Sequence, residues 1–182
     1  MKFKIFLQTL SVLLFVLGVT LNSSCQEDKS KRKSPPANVS GTIGDLTLTV
    51  DYSSPGVKGR KLWGKLVPYN EVWRTGANEA TTFEVNKDVL IEGEKLPAGK
   101  YGLFTIPGES DWVFIFNKEP DQWGAFDYDS KKDALRVTVK PAKAKTFTER
   151  LAFEIKKKGS NAAEVRMNWG NLSAGFTAQS AK

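Results

Sequence analysis

The residues best suited to chemistry lie in one irregular stretch, residues 55–82. Its charged and amide side chains are those of Arg60, Arg74, Asn78 and Glu79. Two guanidinium groups grip an anion through paired hydrogen bonds, and the amide and the carboxylate bind hydroxyl or amide groups. Faces for stacking are offered by Trp63, Tyr69 and Trp73. This combination suits a saccharide, an acidic saccharide or a peptide terminus.

The same residues also have a purely structural interpretation. Trp63 and Trp73 would close one end of the fold, and Arg74 would pair with Glu79 to hold the loop. Asn78 would hydrogen-bond its own turn, as asparagine does in many loops. This interpretation needs no ligand, and the sequence leaves both open.

The chain contains no histidine and one cysteine. This excludes a Ser-His-Asp triad, a Cys-His pair and an imidazole zinc site. A hydrolase would have to use carboxylates, with Glu79 as general acid or base and Arg74 holding an anionic substrate. The second carboxylate would come from Glu71, Asp51 or Asp127. Residues 121–129 lack the spacing of a calcium loop, so we expect no metal site and no cofactor.

The N-terminus has the build of a secretory signal peptide. Two lysines and an apolar stretch over residues 5–21 begin the chain, and the small residues Ser23 and Ser24 directly precede Cys25. The apolar stretch is short and interrupted, which argues against a membrane span. Bacterial lipoproteins receive their lipid on a cysteine in this position. We therefore expect lipidation of Cys25, with cleavage by the ordinary signal peptidase as the alternative because Asn22 replaces the usual large aliphatic residue.

Composition divides the chain into four parts. Residues 1–24 are the expected signal peptide, and residues 25–37 form a lipidated, disordered tether because they are polar and end near two prolines. Residues 38–178 are long enough for one domain, and residues 179–182 form a tail. The triplet 26–28 resembles a short acidic surface-export signal, or is an ordinary linker. We expect an envelope protein, anchored to the outer membrane on its periplasmic or surface face.

The net charge of +7 comes from 27 basic and 20 acidic residues. An excess of basic residues often indicates that a protein binds nucleic acid. Here the lysine-rich segment 131–158 fits solvated strand faces, and an exported protein meets little nucleic acid. The expected partners are the membrane, through Cys25, and a saccharide or peptide ligand.

From residue 39 onward the sequence predicts strands. Leu46, Leu48 and Val50 alternate with polar residues, a period of two that indicates a half-buried strand. About ten short strands with turn residues between them predict an antiparallel β-sandwich or a flattened barrel. Residues 168–171 predict a late hairpin. The predicted strands span residues 39–43, 46–50, 82–86, 89–92, 101–106, 112–117, 135–140, 151–156, 165–169 and 172–177.

Residues 72–82 read VWRTGANEATT, which resembles the signature of domain of unknown function 2911. Further matching motifs lie at residues 52–55, 58–60, 66–69 and 96–101. The resemblance covers residues 39–177 and implies an exported protein, often with a signal peptide. It implies no activity.

Three functions follow from these observations. The first is a non-catalytic, membrane-anchored binding or structural module of the envelope. The second is the carboxylate-dependent hydrolase built on Glu79 and Arg74. The third is a partner-binding subunit of an envelope assembly, which would use exposed strand edges or the surfaces of Trp112 and Trp123.

Overall fold

A computed structural model describes residues 28–181. Short 3-10 turns span Lys29–Lys31 and Ser130–Lys132. Within residues 28–181 no helix has the length and apolar character that crossing a membrane requires. The strands are β1 (Pro36–Ile43), β2 (Leu46–Ser53), β3 (Thr81–Val85), β4 (Val89–Ile91), β5 (Glu94–Leu96), β6 (Gly99–Pro107), β7 (Trp112–Asn117), β8 (Asp133–Val139), β9 (Ala142–Lys158) and β10 (Ala162–Ser180).

The strands form two antiparallel sheets. Six strands pair in the order β1-β2-β3-β6-β7-β8, and four pair in the order β5-β4-β10-β9. The two sheets pack face to face and do not close into a barrel, which confirms the predicted all-β sandwich. Nine of the ten strands coincide with predicted ones, with the predicted strands at 165–169 and 172–177 joined in β10, whereas β5 is not among the predicted strands. β9 and β10 are also much longer than expected.

The core lies between the sheets because apolar side chains alternate along the strands. In β2, Leu46, Leu48 and Val50 are fully buried, whereas the threonines between them are half-buried. Phe176 of β10 lies within the core. Its ring centroid lies 5.2 Å from those of Phe114 and Phe116, with edge-to-face geometry.

β10 is one run of strand residues that folds back on itself. Ser180 N donates a hydrogen bond to Asn161 O at 2.9 Å, so the two ends of β10 lie side by side. A straight strand of this length would hold its ends about 60 Å apart. Asn168 and Ser173 hydrogen-bond across the reversal, and Gly170 between them has φ +60°. The reversal lies where the sequence predicts a hairpin.

Residues 28–35, expected to belong to a disordered tether, lie against the domain. Asn78 Nδ2 donates to Ser34 O at 3.0 Å, and Ser54 N donates to Pro35 O at 2.9 Å. These backbone carbonyls find partners in the domain, which the polar composition does not reveal. The predicted signal peptide and Cys25 lie outside the described residues.

Candidate functional site

Trp63 and Trp73 belong to a four-tryptophan cluster at one end of the sandwich. Trp63 lies edge-on to Trp73, Trp112 and Trp169, with centroid distances of 5.9, 4.8 and 5.8 Å. Trp73 stacks on Trp169 at 5.7 Å, with 14° between the ring planes. The faces of both rings are therefore occupied by other tryptophans, which matches the structural interpretation. Trp112 is fully buried and offers no surface to a partner, contrary to the expectation for an assembly subunit.

Arg60 and Tyr69 are held by their own loop. Arg60 Nη2 donates to Gly56 O at 2.5 Å, and Arg60 Nε donates to Val57 O at 3.1 Å. The Tyr69 ring covers Gly64, where a Cβ atom would lie 2.9 Å from Tyr69 Cε2. Gly64 also has φ +73°, so glycine is required there on both grounds. These contacts explain the shape of the loop.

Arg74 does not form the expected clasp. Within residues 28–181, its Nε is buried without a hydrogen-bond partner, and no ion pair joins Arg74 to Glu79. Burial lowers the pKa of the Arg74 guanidinium below its ordinary value. The side chain is half-buried. Arg74 is thus a partly desolvated cation that forms no ion pair with an acidic residue in the part of the chain that the structure describes.

Glu79 is paired with the N-terminal segment instead. Both of its carboxylate oxygens accept from Arg32 Nη1 at 2.9 Å, and Lys29 Nζ lies 2.9 Å from Oε1. Burial by itself would raise the pKa of Glu79. The hydrogen bonds from Lys29, from the glutamate's own backbone and from Arg32 outweigh that effect and lower the pKa to about 2.

Asn78 also binds the N-terminal segment. Its Nδ2 donates to Ser34 O and, at 3.2 Å, to Ser53 Oγ. Its backbone has φ +56°, a conformation that asparagine tolerates better than most residues. The side chain therefore joins three segments of the fold rather than bonding within its own turn. The structure thus brings the predicted site residues together in two pairs: Trp63 and Trp73 pack against each other, and Asn78 and Glu79 both bind residues 28–35.

A cleft of about 670 Å³ lies on the outer face of the six-stranded sheet. The 120–123 loop forms one wall, β1 and β2 form the floor, and Glu79 is the one predicted site residue among the described lining residues. The lining residues are Lys29, Pro36, Ala37, Asn38, Asp51, Tyr52, Ser53, Glu79, Ala80, Thr82, Lys100, Pro120, Asp121, Gln122 and Trp123. We call this space the β1–β3 cleft.

Two buried polar atoms of the β1–β3 cleft have no partner within residues 28–181. They are Thr82 Oγ1 and Gln122 Oε1, and Thr82 is only 7% exposed. Gln122 Nε2 donates to Glu119 O at 2.7 Å, which fixes the orientation of the amide and leaves Oε1 as an acceptor. Both atoms are closed to solvent, so they lie beneath the surface of the cleft, as Arg74 Nε, Trp112 Nε1 and Trp169 Nε1 lie unpaired elsewhere in the described part of the chain.

The cleft wall is anchored to the signature motif through backbone hydrogen bonds. Ala80 N donates to Gln122 O at 2.9 Å, and Gly124 N donates to Asn78 O at 3.1 Å. Between them, Trp123 projects a side chain that is 55% exposed. The motif therefore supports the wall of the cleft and also contributes Glu79, Ala80 and Thr82 to its lining.

The sequence did not identify Thr82 and Gln122 as site residues. Thr82 is one threonine in a strand, and only the sheet register places it beside Asp51. Gln122 comes from a loop about 40 residues later in the chain. Two signals were available, since Thr82 is the last residue of the signature motif and Gln122 and Trp123 belong to the mixture of aromatic and acidic residues at 121–129.

Two of the candidate carboxylates, Asp51 and Glu79, do line the same cleft. Asp51 Oδ1 accepts from Asn38 Nδ2 at 2.6 Å. Glu71 and Asp127 are absent from the described lining. Within residues 28–181, no group of three or more acidic side chains could hold a metal ion. Since its ion pairs keep Glu79 ionised to about pH 2, it is a poor general acid.

Comparison with known proteins gives one match. No curated protein and no solved structure matches the chain. A family model described as "Protein of unknown function (DUF2911)" matches residues 34–178, which is most of the chain and nearly all of the sandwich. The matched region begins just before β1, ends within β10, and includes both the signature motif and the wall of the β1–β3 cleft. The chain therefore belongs to the DUF2911 family of proteins of unknown function.

Proposed function

We propose that the protein is an exported, lipid-anchored binding module of the cell envelope that takes its ligand in the β1–β3 cleft and does no catalysis. The signal-peptide pattern and the position of Cys25 support the export and the anchor. The ligand site is lined partly by residues 79–82 of the signature motif and partly by the 120–123 loop that the motif supports. The binding part of this proposal depends on the structure of residues 28–181 alone.

One observation carries the proposal: an open cleft of about 670 Å³ with Trp123, 55% exposed, at its rim. Backbone hydrogen bonds of Gln122 and Gly124 on either side hold this residue in place. A ligand that covers the indole removes its apolar surface from water and gains affinity from that burial.

The hydrolase is the weaker alternative. It requires a carboxyl group that can hold and release a proton near neutral pH. Glu79 is ionised throughout that range because of its ion pairs with Lys29 and Arg32. Arg74, the expected anion grip, is not among the described residues that line the cleft.

A thermal-shift screen of the mature chain in detergent tests the binding site. The probes are neutral oligosaccharides, uronic-acid oligosaccharides, blocked tetrapeptides and calcium. A ligand at one hundred times its dissociation constant stabilises the fold by about 2.7 kcal/mol, a shift of several degrees. We expect such a shift in the wild type and its loss in Trp123→Ala, which removes the exposed indole from the rim of the cleft.

Phe147→Ala is the matched control, because Phe147 is a comparably exposed aromatic residue of β9 and does not line the β1–β3 cleft. It should respond as the wild type does. A response to no probe, or the same response in Trp123→Ala, contradicts the proposed site. The anchor is tested separately by incorporation of labelled palmitate into the wild type, with Cys25→Ala as the negative control.

A further inference from the structure

Phe126 has the most exposed large apolar side chain in residues 28–181, at 82%. It belongs to the loop between β7 and β8, residues 118–132, and follows the half-exposed Trp123 by three positions. Its ring packs against the backbone of Gly124, where a Cβ atom would lie 2.9 Å from Phe126 Cε2. The 118–132 loop therefore exposes two aromatic rings close together in the chain.

The 118–132 loop is firmly attached to the six-stranded sheet. Asn117, at the end of β7, is fully buried, and its Nδ2 donates to Asp133 Oδ1 at 2.8 Å. The Tyr128 ring lies 5.1 Å from that of Phe104, and the Tyr128 hydroxyl donates to Asp133 Oδ2 at 2.7 Å. A side chain on a loop held in this way loses little conformational freedom when it binds a partner. The loop thus presents Phe126 in a prepared position.

The proposed lipid anchor lies close to this loop. Cys25 precedes Asp28 by three residues, a length of chain that spans at most about 11 Å. Shortly after Asp28 the chain is already beside the loop, because Lys29 lines the β1–β3 cleft together with Trp123. The Arg32 guanidinium lies 5.9 Å from the centroid of the Trp123 ring. A lipid on Cys25 therefore keeps the 118–132 loop near the membrane.

A lipid bilayer is the partner that fits exposed aromatic rings at this place. Aromatic side chains at a membrane surface sink between the headgroups, and the binding strength grows with the apolar area that they bury. Two rings alone bind a bilayer weakly. A lipid anchor on the same chain makes their contact intramolecular, at an effective concentration of about a millimolar or more. A small apolar surface is then sufficient for docking.

Exposed charges of both signs accompany the two rings. Lys29 and Lys31 are exposed on the segment before β1, and Asp121 and Asp127 are exposed on the loop. A zwitterionic headgroup offers its phosphate to the lysines and its ammonium to the carboxylates. An anionic membrane would attract the lysines and repel the carboxylates. The surface therefore suits a zwitterionic bilayer and needs no anionic lipid.

We propose that Phe126 inserts into the bilayer that holds the lipid of Cys25, which makes the 118–132 loop a second membrane contact of the protein. This inference rests on the anchor of the proposed function and is independent of the ligand of the cleft. It has a consequence for access to the cleft. Because Trp123 of the same loop forms its rim, the β1–β3 cleft opens close to the membrane surface.

Quenching of tryptophan fluorescence by brominated lipid tests the contact. The lipidated mature chain is placed in phosphatidylcholine vesicles, with or without phosphatidylcholine that is brominated near the top of one acyl chain. We expect the brominated lipid to quench part of the emission. Trp123→Phe should remove that part, since the other four tryptophans pack against one another. Phe126→Asp should lower the quenched fraction about threefold or more, because a charged side chain is costly inside the bilayer.

Phe147→Asp is the matched control, because Phe147 is an exposed aromatic residue of β9, in the four-stranded sheet. It should be quenched as the wild type is. Co-flotation of protein and vesicles in the same samples reports the anchor separately. Floating protein whose Trp123 is not quenched, or equal quenching in Phe126→Asp, overturns the membrane contact and leaves the anchor and the cleft standing. Protein that does not float overturns the anchor, and this inference with it.

Discussion

Glu79 accepts hydrogen bonds at both carboxylate oxygens from Nη1 of Arg32, across 47 residues of chain. Arg74, five positions before Glu79 in the same motif, forms no ion pair with it within residues 28–181. The carboxylate of the signature motif thus attaches the segment before β1 to the domain. Since Glu79 also lines the β1–β3 cleft, this attachment fixes one side of the cleft.

Glu79→Gln should loosen residues 28–35 without unfolding the sandwich. The substitution removes the charge that attracts Arg32 and Lys29. Because the Glu79 side chain is 37% exposed, solvent screening limits the loss to about 1 kcal/mol. We expect a melting temperature lower by about 2–4 °C and faster hydrogen exchange of Ser54 N, which bonds Pro35 O. Glu71→Gln, at an exposed glutamate of the same loop, should change neither quantity.

The contribution of Glu79 should also depend on pH. Its pKa is lowered from the ordinary value of 4.5 to about 2 in the folded protein. A lowered carboxyl pKa means that the stabilisation is fully present above about pH 4.5 and is lost as the pH falls toward 2. The stability difference between wild type and Glu79→Gln should therefore be constant near neutrality and vanish near pH 2. Chemical denaturation across this range measures it, and a difference that persists at pH 2 contradicts the ion-pair account.

The fold could be predicted because its determinants are local. The alternation of Leu46, Leu48 and Val50 is visible in the sequence and corresponds to the buried face of β2. β5 was not predicted because it has only three residues, two of which are exposed and charged, so it shows no alternation of apolar and polar residues. The contacts of residues 28–35 were also missed, since they depend on partners such as Asn78 that are distant in the sequence.

The site was harder to predict because the pairing of strands brings together residues that are distant in the sequence. The composition of the stretch around Arg74 and Glu79 suggested a site. In the structure, however, Trp63 packs against Trp73, and Glu79 binds the N-terminal segment. Thr82 becomes notable only when its hydroxyl is seen to be buried without a partner. A single sequence does not reveal hydrogen bonds that are missing.

Trp73→Ala should destabilise the protein strongly, because Trp73 packs against Trp63 and stacks on Trp169. Removing a large aromatic side chain from a packed cluster costs about 3–5 kcal/mol. Trp123→Ala should cost less than about 1 kcal/mol, since that side chain is 55% exposed. Urea denaturation of both variants measures the contrast. Equal losses would contradict the assignment of Trp73 to the core and Trp123 to the cleft.

Gly41→Ala should destabilise the contact between the two sheets at the edge where β1 meets β9. A Cβ atom at Gly41 would lie 2.7 Å from Ile155 Cγ2, which is too close for two carbon atoms. Overpacking of this kind costs about 1–3 kcal/mol. Ile155→Ala removes the clashing atom, so Gly41→Ala should cost much less in that background. A double-mutant cycle gives the coupling, and strictly additive losses would exclude the clash as the cause.

Arg74→Met should leave the protein as stable as the wild type or more stable by about 1 kcal/mol. The guanidinium has a buried Nε without a hydrogen bond, and burial lowers its pKa because the charged form is poorly solvated. An apolar side chain of similar length removes this desolvation cost and keeps the packing.

Arg150→Met is the contrasting variant. Arg150 Nη1 donates to Ser54 O at 3.0 Å and to Lys33 O at 3.4 Å, so its replacement should lower the melting temperature. An Arg74–Glu79 clasp predicts instead that Arg74→Met loses as much stability as Glu79→Gln, and thermal denaturation of the three variants side by side decides between the two accounts.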